Sequence, residues 1–512
     1  MRSLHQFIWI FAIAVLFSIS CRSDDPTPPN NNGEEKPLLV SQFVYDGMSL
    51  FYLWNEQMLG REPTATDTDA KRYFESLLYR PTDVWSWITD DVDALLRDFA
   101  GESARAFGFA PFGLWINQAE LIGVVRYVYP DSPAARAGMK RGDIILEINN
   151  RPITLANIDL LLGSTEETTF TIVDIVHQSF HVRERVTLTQ EPFVANPVLH
   201  SSVHRIDGRV IGYLFYTAFR SNFNEYLFEV FRKFQREGVT DLVLDLRYNP
   251  GGAVTAAIYL ASLIAPAEDV RRNAVFTIMN YNRTQNAIFD RNGWDRSSRL
   301  GEYNADLFSN PIDANLNLDR VHIIATRFSA SASELVIFCL DPFMNVVHIG
   351  ENTSGKYTAS WTVHAFDNFF VGEGRNRQAR AQIVYENPTD VQRSELRNWA
   401  MQPIVGKYTD RDGNSFAAAG TLAPDVEMNV LEFIRDPREW LPIGDRNDYL
   451  FSKAISLITG QPHTAATRSA SDTQFIEFPL FSPQEMLLRR AVNVDNVEID
   501  PETLRKILRS LR

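Results

Sequence analysis

The fold is decided between Arg327 and Ser360, where the chain reads RFSASASELVIFCLDPFMNVVHIGENTSGKYTAS. The preceding run VHIIAT, at 321–326, has the length and apolar content of a buried strand. From Glu334 to Leu340 the apolar residues recur at the spacing of a helix. The sequence therefore predicts a strand that turns into a helix, with Ser331 at the junction.

Ser331 has two interpretations. Ser331 and Glu334 have the spacing of a capping box, which is a common helix start and carries no chemistry. Backbone N–H groups are also unpaired at a helix start and favour negative charge, so a developing oxyanion would be stabilised there. The residues alone leave both interpretations open.

Lys356 follows Ser354-Gly355, 25 residues after Ser331. A lysine acts as a base only when it is neutral, and burial beside apolar groups favours the neutral form. The nearby sequence is apolar at Ile349, Tyr357 and Trp361. Lys356 is therefore a candidate base, although most lysines are solvated surface charges.

Strands alternate with helices from 210 to 266, which predicts a parallel sheet and an α/β core. One strand, in DLVLDLRYNPGG, runs into a glycine turn at Gly251 and Gly252. Backbone without side chains can approach a reacting carbonyl closely. An ordinary turn explains the same residues.

Two stretches resemble known domains. The SASASE run followed by Gly-Lys at this spacing resembles the C-terminal processing peptidases of family S41, and so does LDLRYNPGG. The stretch SPAARAGMKRGDIILEINN, from Ser132 to Asn150, resembles a PDZ domain. The resemblance implies a multidomain α/β protein with a helical N-terminal domain, a PDZ domain and an α/β peptidase core of the ClpP/crotonase type.

The resemblance also implies roles. Ser331 would be the nucleophile and Lys356 the general base of a Ser–Lys dyad. The backbone of Ala332 would supply one oxyanion-hole N–H, and Gly251 or Gly252 the other. The family usually has a glutamine four residues after the lysine, where this chain has Ser360, which is the third candidate catalytic residue. No metal and no cofactor are implied.

A PDZ domain binds an extended peptide as an added strand and captures its terminal carboxylate with backbone N–H groups. The carboxylate loop would lie at Phe107–Phe112, and the candidate substrate-binding residues are Gly108, Phe109, Phe112 and Gly113. The expected partner is a protein or peptide with a free C-terminus.

The first twenty residues have a basic start and a short apolar run, which is typical of a secretory signal. Ser18 to Cys21 resembles a bacterial lipoprotein processing site, so Cys21 is the predicted lipidation site. The predicted location is the bacterial cell envelope, with a lipid anchor in the membrane. Ordinary cleavage near Ser20, which would leave Cys21 as a thiol, is the alternative.

The chain has 512 residues, of which 45% are hydrophobic and 22% charged, as in globular proteins with several domains. Its net charge of −14, without a basic run, argues against nucleic-acid binding. After the signal, the predicted segments are a tether at 21–37, a helical domain without chemistry of its own at 38–106, the PDZ domain at 107–190, the peptidase core at 195–460 and an extension at 461–512. Residues 283–320 are predicted to be a surface insertion.

Three alternative functions stay open. A histidine such as His348 or His364 could serve a Ser-His-Asp hydrolase, although no triad signature surrounds them. Gly350–Lys356 fits half of a phosphate-binding loop, but Tyr357 replaces the residue that would hold magnesium. A peptide-binding lipoprotein without turnover is the third, because Ser360 replaces the glutamine.

Overall fold

We describe the protein from a computed structural model. The structure describes residues 37–462 except for 81, 100–101, 116–118, 165, 177–178, 367–369, 372–377, 380–381 and 429–439. The predicted signal, Cys21 and nearly all of the predicted extension lie outside these residues and stay predictions. Within the described residues, no helix combines the length and apolar character that crossing a membrane requires.

The N-terminal part combines helices with two short strands. Its elements are α1 (Leu39–Phe51), α2 (Ala70–Leu77), β1 (Trp87–Thr89), α3 (Val92–Phe99) and β2 (Glu102–Ala106). The apolar face of α1 is buried in one core with helices of the α/β part, which runs from 198 to 459, and its Phe51 packs edge-on against Trp361 at 5.9 Å. This segment is therefore packed into the α/β part rather than beside it.

A second part is a twisted antiparallel sheet. It contains β3 (Phe109–Trp115), β4 (Leu121–Val128), α4 (Pro133–Arg136), β5 (Ile144–Ile148), β6 (Arg151–Pro152), β7 (Thr168–Val176), β8 (Ser179–Leu188) and β9 (Glu191–Val194). The strand order is β3-β4-β5-β7-β8, with β6 beside β5, and β9 pairs with β2. Ser132 caps α4 by accepting from the Ala135 N–H, and Pro133 occupies the first turn, where its missing N–H costs nothing.

The α/β part, from 198 to 459, alternates strands and helices as predicted. Its elements are β10 (Val198–Ile206), β11 (Arg209–Tyr216), α5 (Asn224–Glu237), β12 (Asp241–Asp245), α6 (Val254–Ile264), α7 (Ala267–Arg271), β13 (Val275–Tyr281), α8 (Arg283–Asn292), β14 (Ser297–Arg299), β15 (Arg320–Ala325), α9 (Ala332–Leu340), β16 (Asn345–Gly350), β17 (Thr358–Ser360), β18 (Val363–His364), β19 (Phe370–Val371), β20 (Gln378–Ala379), β21 (Gln382–Ile383), α10 (Asp390–Leu396), β22 (Ala400–Gln402), β23 (Ile404–Asp410), β24 (Val426–Glu427) and α11 (Tyr449–Thr459).

The central sheet has the order β10-β11-β12-β15-β16-β24 and is parallel except for the β10–β11 hairpin. Both faces of the central strands are covered, so β12 and β15 are almost wholly buried. In β12, Leu242 and Leu244 face the core that holds α6 and α9, whereas Val243 faces the core that holds α11 and residues of the antiparallel sheet. The α/β architecture predicted from the sequence is thus confirmed.

A buried ion-pair network joins α11 to the central sheet. Arg247, just after β12, lies 2.6 Å from Asp245 and 2.7 Å from Asp448, which caps α11. The Tyr213 hydroxyl donates to Asp245 at 2.6 Å. Burial alone would raise the pKa of Asp448, but the Arg247 guanidinium outweighs burial and holds that pKa below its usual value. These ion pairs hold the turn after β12 that leads into Gly251 and Gly252.

Two smaller sheets flank the central one. Their orders are β14-β13-β23-β17 and β1-β22-β18-β21, so β1 of the N-terminal part belongs to a sheet of the α/β part. Residues 283–320 are not a detached insertion, because they form α8 and β14, and Ile288 and Phe289 are buried in the main core.

Candidate active site

Ser331 lies between β15 and α9, as the sequence predicts. It is the N-cap of α9 and has φ 53° and ψ −111°, which is the left-handed half of backbone space and is strained for a residue with a side chain. Such conformations cost about 1–3 kcal/mol and persist only where the surroundings enforce them. Strain of this kind concentrates at functional sites, so the capping-box interpretation alone is insufficient.

The two neighbouring serines have structural roles. The Ser329 hydroxyl donates to the Leu246 carbonyl at 2.7 Å, and the Ser333 hydroxyl donates to the Asn249 carbonyl at 2.9 Å. Both bonds tie the serine loop to the turn after β12. Among the described residues, Ser331 makes no such bond, so it remains the candidate nucleophile of the three.

Glu334 joins Ser331 to Lys356. Its carboxylate accepts the Ser331 N–H at 2.8 Å and the Lys356 N–H at 2.9 Å through the same oxygen, Oε2. The other oxygen accepts the Gly355 N–H at 2.7 Å and the Thr353 hydroxyl. One side chain thus fixes the backbone of both candidate catalytic residues, which are 25 positions apart.

Burial raises the pKa of the Glu334 carboxyl above its usual value, and the hydrogen bonds it accepts offset part of that rise. A fully buried carboxylate is expensive unless its lone pairs are satisfied. Here four donors surround it, which explains how a buried acid is tolerated at this position.

Tyr408, on β23, also links Ser331 to Lys356, in this case through their backbone carbonyl groups. Its hydroxyl lies 3.4 Å from the Ser331 carbonyl oxygen and 3.2 Å from the Lys356 carbonyl oxygen. Ser331 and Lys356 are therefore linked by a carboxylate through their N–H groups and by a hydroxyl through their carbonyls. The structure brings together the two residues that the sequence singled out.

The Lys356 side chain lies under a tryptophan of the N-terminal part. Lys356 is 6% exposed, and its ammonium is 5.3 Å from the centre of the Trp85 ring. The Asp83 carboxylate accepts the backbone N–H of Trp85 at 2.9 Å, and the Tyr52 hydroxyl donates to the same carboxylate at 2.8 Å. The prediction that the N-terminal part has no chemistry of its own is therefore incomplete, because it covers the candidate base.

The glycine turn lies beside the serine loop. The Asn249 carbonyl accepts the Ala330 N–H at 3.2 Å, and the Asn249 side chain accepts the Gly251 N–H at 2.9 Å. Gly252 has φ 138°, and a Cβ there would overlap the carbonyl oxygen of Phe219, so no other residue fits. The Gly251 N–H therefore already has a hydrogen-bond acceptor within the turn.

The other two candidate active-site residues are Ala332 and Ser360. Ala332 is the first residue of α9, where backbone N–H groups have no partner within the helix. Ser360 ends β17, is 5% exposed and pairs with Ile404 after a bulge in the register. Ser360 is thus on the strand that begins just beyond Lys356.

The four predicted peptide-binding residues lie at or on β3, away from the Ser331–Lys356 pair in the chain. β3 ends the strand order of its sheet, so in the described part of the chain one of its edges has no partner strand. The Gly108 carbonyl accepts the Tyr129 N–H at 2.8 Å, and Phe109 is buried among PDZ core residues. Phe112 instead packs edge-on against Phe328 at 5.4 Å, and Gly113 pairs with Gly123 of β4. The Phe112 side chain therefore contacts the serine loop.

The structure gives little support to a catalytic histidine in a Ser-His-Asp triad. Both ring nitrogens of His364 face backbone carbonyls, of Phe366 at 2.9 Å and of Arg397 at 3.2 Å. Burial lowers the pKa of His364 to about 4. The buried His348 lies inside β16, and its ring has no hydrogen bond to Ser331 among the described residues.

The phosphate-loop alternative is wrong. Residues 350–356 follow a strand, as that motif requires, but they lead into strand β17. A phosphate site of this kind needs a helix N-terminus at that place.

Comparison with known proteins agrees with the architecture. Residues 210–428 match the family model of peptidase family S41, residues 124–173 match that of a PDZ domain, and residues 40–87 match that of the peptidase S41 N-terminal domain.

Two curated relatives are carboxyl-terminal-processing proteases. That of Picosynechococcus is 27% identical over 250 residues, or 48% of this chain and 53% of that protein. That of Synechocystis is 25% identical over 242 residues, or 47% of this chain and 50% of that protein. The chain thus spans about half the length of the curated relatives it matches.

A crystal structure from Bacteroides fragilis, of a protein assigned to the S41 proteases, has the same fold. It has a TM-score of 0.62 and 24% identity, and the match covers 86% of this chain and all of that one. At this identity the likeness concerns the fold alone.

Proposed function

We propose that this chain, which belongs to peptidase family S41, is a serine endopeptidase that cleaves proteins near their C-termini with Ser331 and Lys356 as its dyad. The observation that carries the proposal is the double link between these residues. Glu334 accepts both of their N–H groups, and the Tyr408 hydroxyl lies against both of their carbonyls. If this serine and lysine had only structural roles, nothing would require one carboxylate and one hydroxyl to hold both of their backbones.

In the proposed reaction the neutral amine of Lys356 takes the Ser331 hydroxyl proton as Oγ attacks the peptide carbonyl. The tetrahedral oxyanion would accept the N–H of Ala332 and the N–H of Gly251 or Gly252.

The C–N bond then breaks, and Lys356 returns the proton to the leaving amine. Water hydrolyses the acyl ester on Ser331 in the second half, with Lys356 again as the base. Glu334 and Tyr408 are positioning residues in this scheme, since they touch the dyad and not the substrate.

The PDZ domain would deliver the substrate by its C-terminus. The open edge of β3 can add a peptide strand, and the loop at Gly108 would receive the carboxylate. The contact of Phe112 with Phe328 supports this route, because it joins β3 to the loop that carries Ser331. Amidating the C-terminus of a good substrate should then weaken its cleavage, and equal kcat/KM for acid and amide would exclude the capture.

The decisive test measures cleavage of unfolded protein substrates by the full chain. Ser331→Ala and Lys356→Ala should each abolish cleavage while circular dichroism stays unchanged, whereas Ser354→Ala should keep near-normal rates. The double variant should be scarcely worse than either single one, because residues that act as a unit are not additive.

Two results would defeat the assignment. Turnover by Lys356→Ala, or loss of activity in a folded His348→Ala variant, would restore the histidine alternative. A wild-type chain that binds peptides but never cleaves them would support the non-catalytic peptide-binding protein.

A further inference from the structure

A second lysine lies near Lys356. Lys407, on β23, is directly opposite Thr358 of β17, and its ammonium contacts the ring of Tyr357, the residue that follows Lys356. Each lysine lies beneath a tryptophan of the N-terminal part: Trp85 covers Lys356, and Trp54 covers Lys407.

Lys407 is held by aromatic rings. Its ammonium is 5.9 Å from the centre of the Trp54 ring and 5.7 Å from the centre of the Tyr357 ring, and the side chain is half-buried. Ring faces attract a cation electrostatically but leave its N–H donors available for hydrogen bonds. In the described part of the chain no carboxylate pairs with this ammonium, although the chain has 64 acidic and only 50 basic residues.

We propose that Lys407, framed by Trp54 and Tyr357, is a carboxylate-binding subsite of the substrate groove, an inference that rests on the proposed peptidase function. The two rings restrict the lysine side chain, so little rotamer freedom is lost when a carboxylate binds. A carboxylate would supply the acceptors that the ammonium lacks, in a half-buried setting where such bonds are strong.

The position of the subsite limits which carboxylate it can receive. Tyr357 directly follows Lys356, so a bound carboxylate belongs to a residue only a few positions from the cleaved bond. It is either the free C-terminus of a short tail or the side chain of an aspartate or glutamate. Both sources share one chemistry, and matched peptides separate them.

The experiment measures peptide binding in the full chain with Ser331→Ala, so that nothing is cleaved. Three peptides of one sequence are compared by calorimetry: the C-terminal acid, the C-terminal amide, and the acid with its glutamates replaced by glutamines. Lys407→Met should weaken binding of the preferred carboxylate peptide about tenfold and leave its neutral counterpart unchanged. Lys407→Arg keeps the charge and should retain most of the preference.

The matched control is Lys233→Met, which removes an exposed lysine from α5 and should change no affinity. Loss of the acid-over-amide preference in Lys407→Met assigns the subsite to the free C-terminus. Loss of the glutamate-over-glutamine preference assigns it to a side chain.

The proposal is overturned if both preferences survive in Lys407→Met, which would leave carboxylate capture to the PDZ domain, or if acid and neutral peptides weaken equally. Because binding is measured without turnover, failure of the peptidase proposal would show separately, as a wild-type chain that binds but does not cleave.

Discussion

Replacing Glu334 by glutamine tests the link between the two candidate catalytic residues. The change keeps the shape of the side chain but turns one oxygen into an NH2 group. Four donors face the carboxylate: the N–H groups of Ser331, Gly355 and Lys356, and the Thr353 hydroxyl. The single oxygen of the amide can serve two of them, so the other two donors would face a donor.

The cost follows from these contacts. Hydrogen bonds to a charged group contribute about 1.5–3 kcal/mol each, so losing two removes about 3–6 kcal/mol. Burial raises the pKa of Glu334, so the fold penalises its charge, and neutral glutamine escapes that penalty. We therefore expect the free energy of unfolding to fall by about 2–4 kcal/mol. Because the frame of Ser331 and Lys356 loosens, we also expect kcat to fall about 100-fold.

Urea unfolding of the full chain measures the first quantity, and peptide cleavage by the folded variant measures the second. Glu351→Gln is the matched control, since Glu351 is also partly buried but pairs with Arg327 at 3.2 Å and does not touch Ser331. It should cost no more than about 1 kcal/mol and leave kcat within a few-fold. Unfolding free energy within about 0.5 kcal/mol of wild type and normal kcat in Glu334→Gln would refute the reasoning.

Three further predictions concern other parts of the chain. Asp448→Asn leaves a buried guanidinium with one carboxylate and should lower the free energy of unfolding by about 3–5 kcal/mol, whereas the nearby Asp445→Asn should change it by less than about 1 kcal/mol in the same urea titration. His364 stays neutral in the fold because burial lowers its pKa to about 4, so its stabilising contribution is complete above pH 6.5 and is lost as the pH falls toward 4. His364→Gln should therefore remove at most about 3 kcal/mol of the acid-induced loss of stability over that window. If Cys21 is lipidated, Cys21→Ser should move the protein from the membrane pellet to the soluble fraction, and a mutant that still sediments, with wild-type mass unmodified, would contradict the anchor.

The strand-to-helix junction at Ser331 could be predicted because its signals are local. The apolar run before it and the helical spacing after it are complete within twenty residues. The glycine turn was predictable for the same reason. The hydrogen bond from the Gly251 N–H to the Asn249 side chain was not, because it depends on that side chain folding back within the turn.

The hydrogen bonds that join Ser331 to Lys356 could not be predicted. Tyr408 lies 77 residues after Ser331, and only the strand register brings its hydroxyl to that carbonyl. Trp85 gives no signal at all, since one tryptophan in a helical region is most simply core. Glu334 was visible as a helix cap, but its bonds to Lys356 and Gly355 cross from a helix to a loop, which periodicity does not describe.

The segment around β1 pairs with strand β22, more than 300 residues later in the chain. This pairing determines when the fold can be completed during synthesis. The Ser86 hydroxyl accepts the Ile404 N–H across 318 residues, and β1 completes a sheet whose partner β22 starts at Ala400. A nascent chain that has just passed Lys356 already contains both residues of the proposed dyad. It still lacks Tyr408 and the strands that seat Trp85, and such distant contacts form late because their loops must close first. If the proposed mechanism holds, the growing polypeptide lacks an assembled site until most of it has been made.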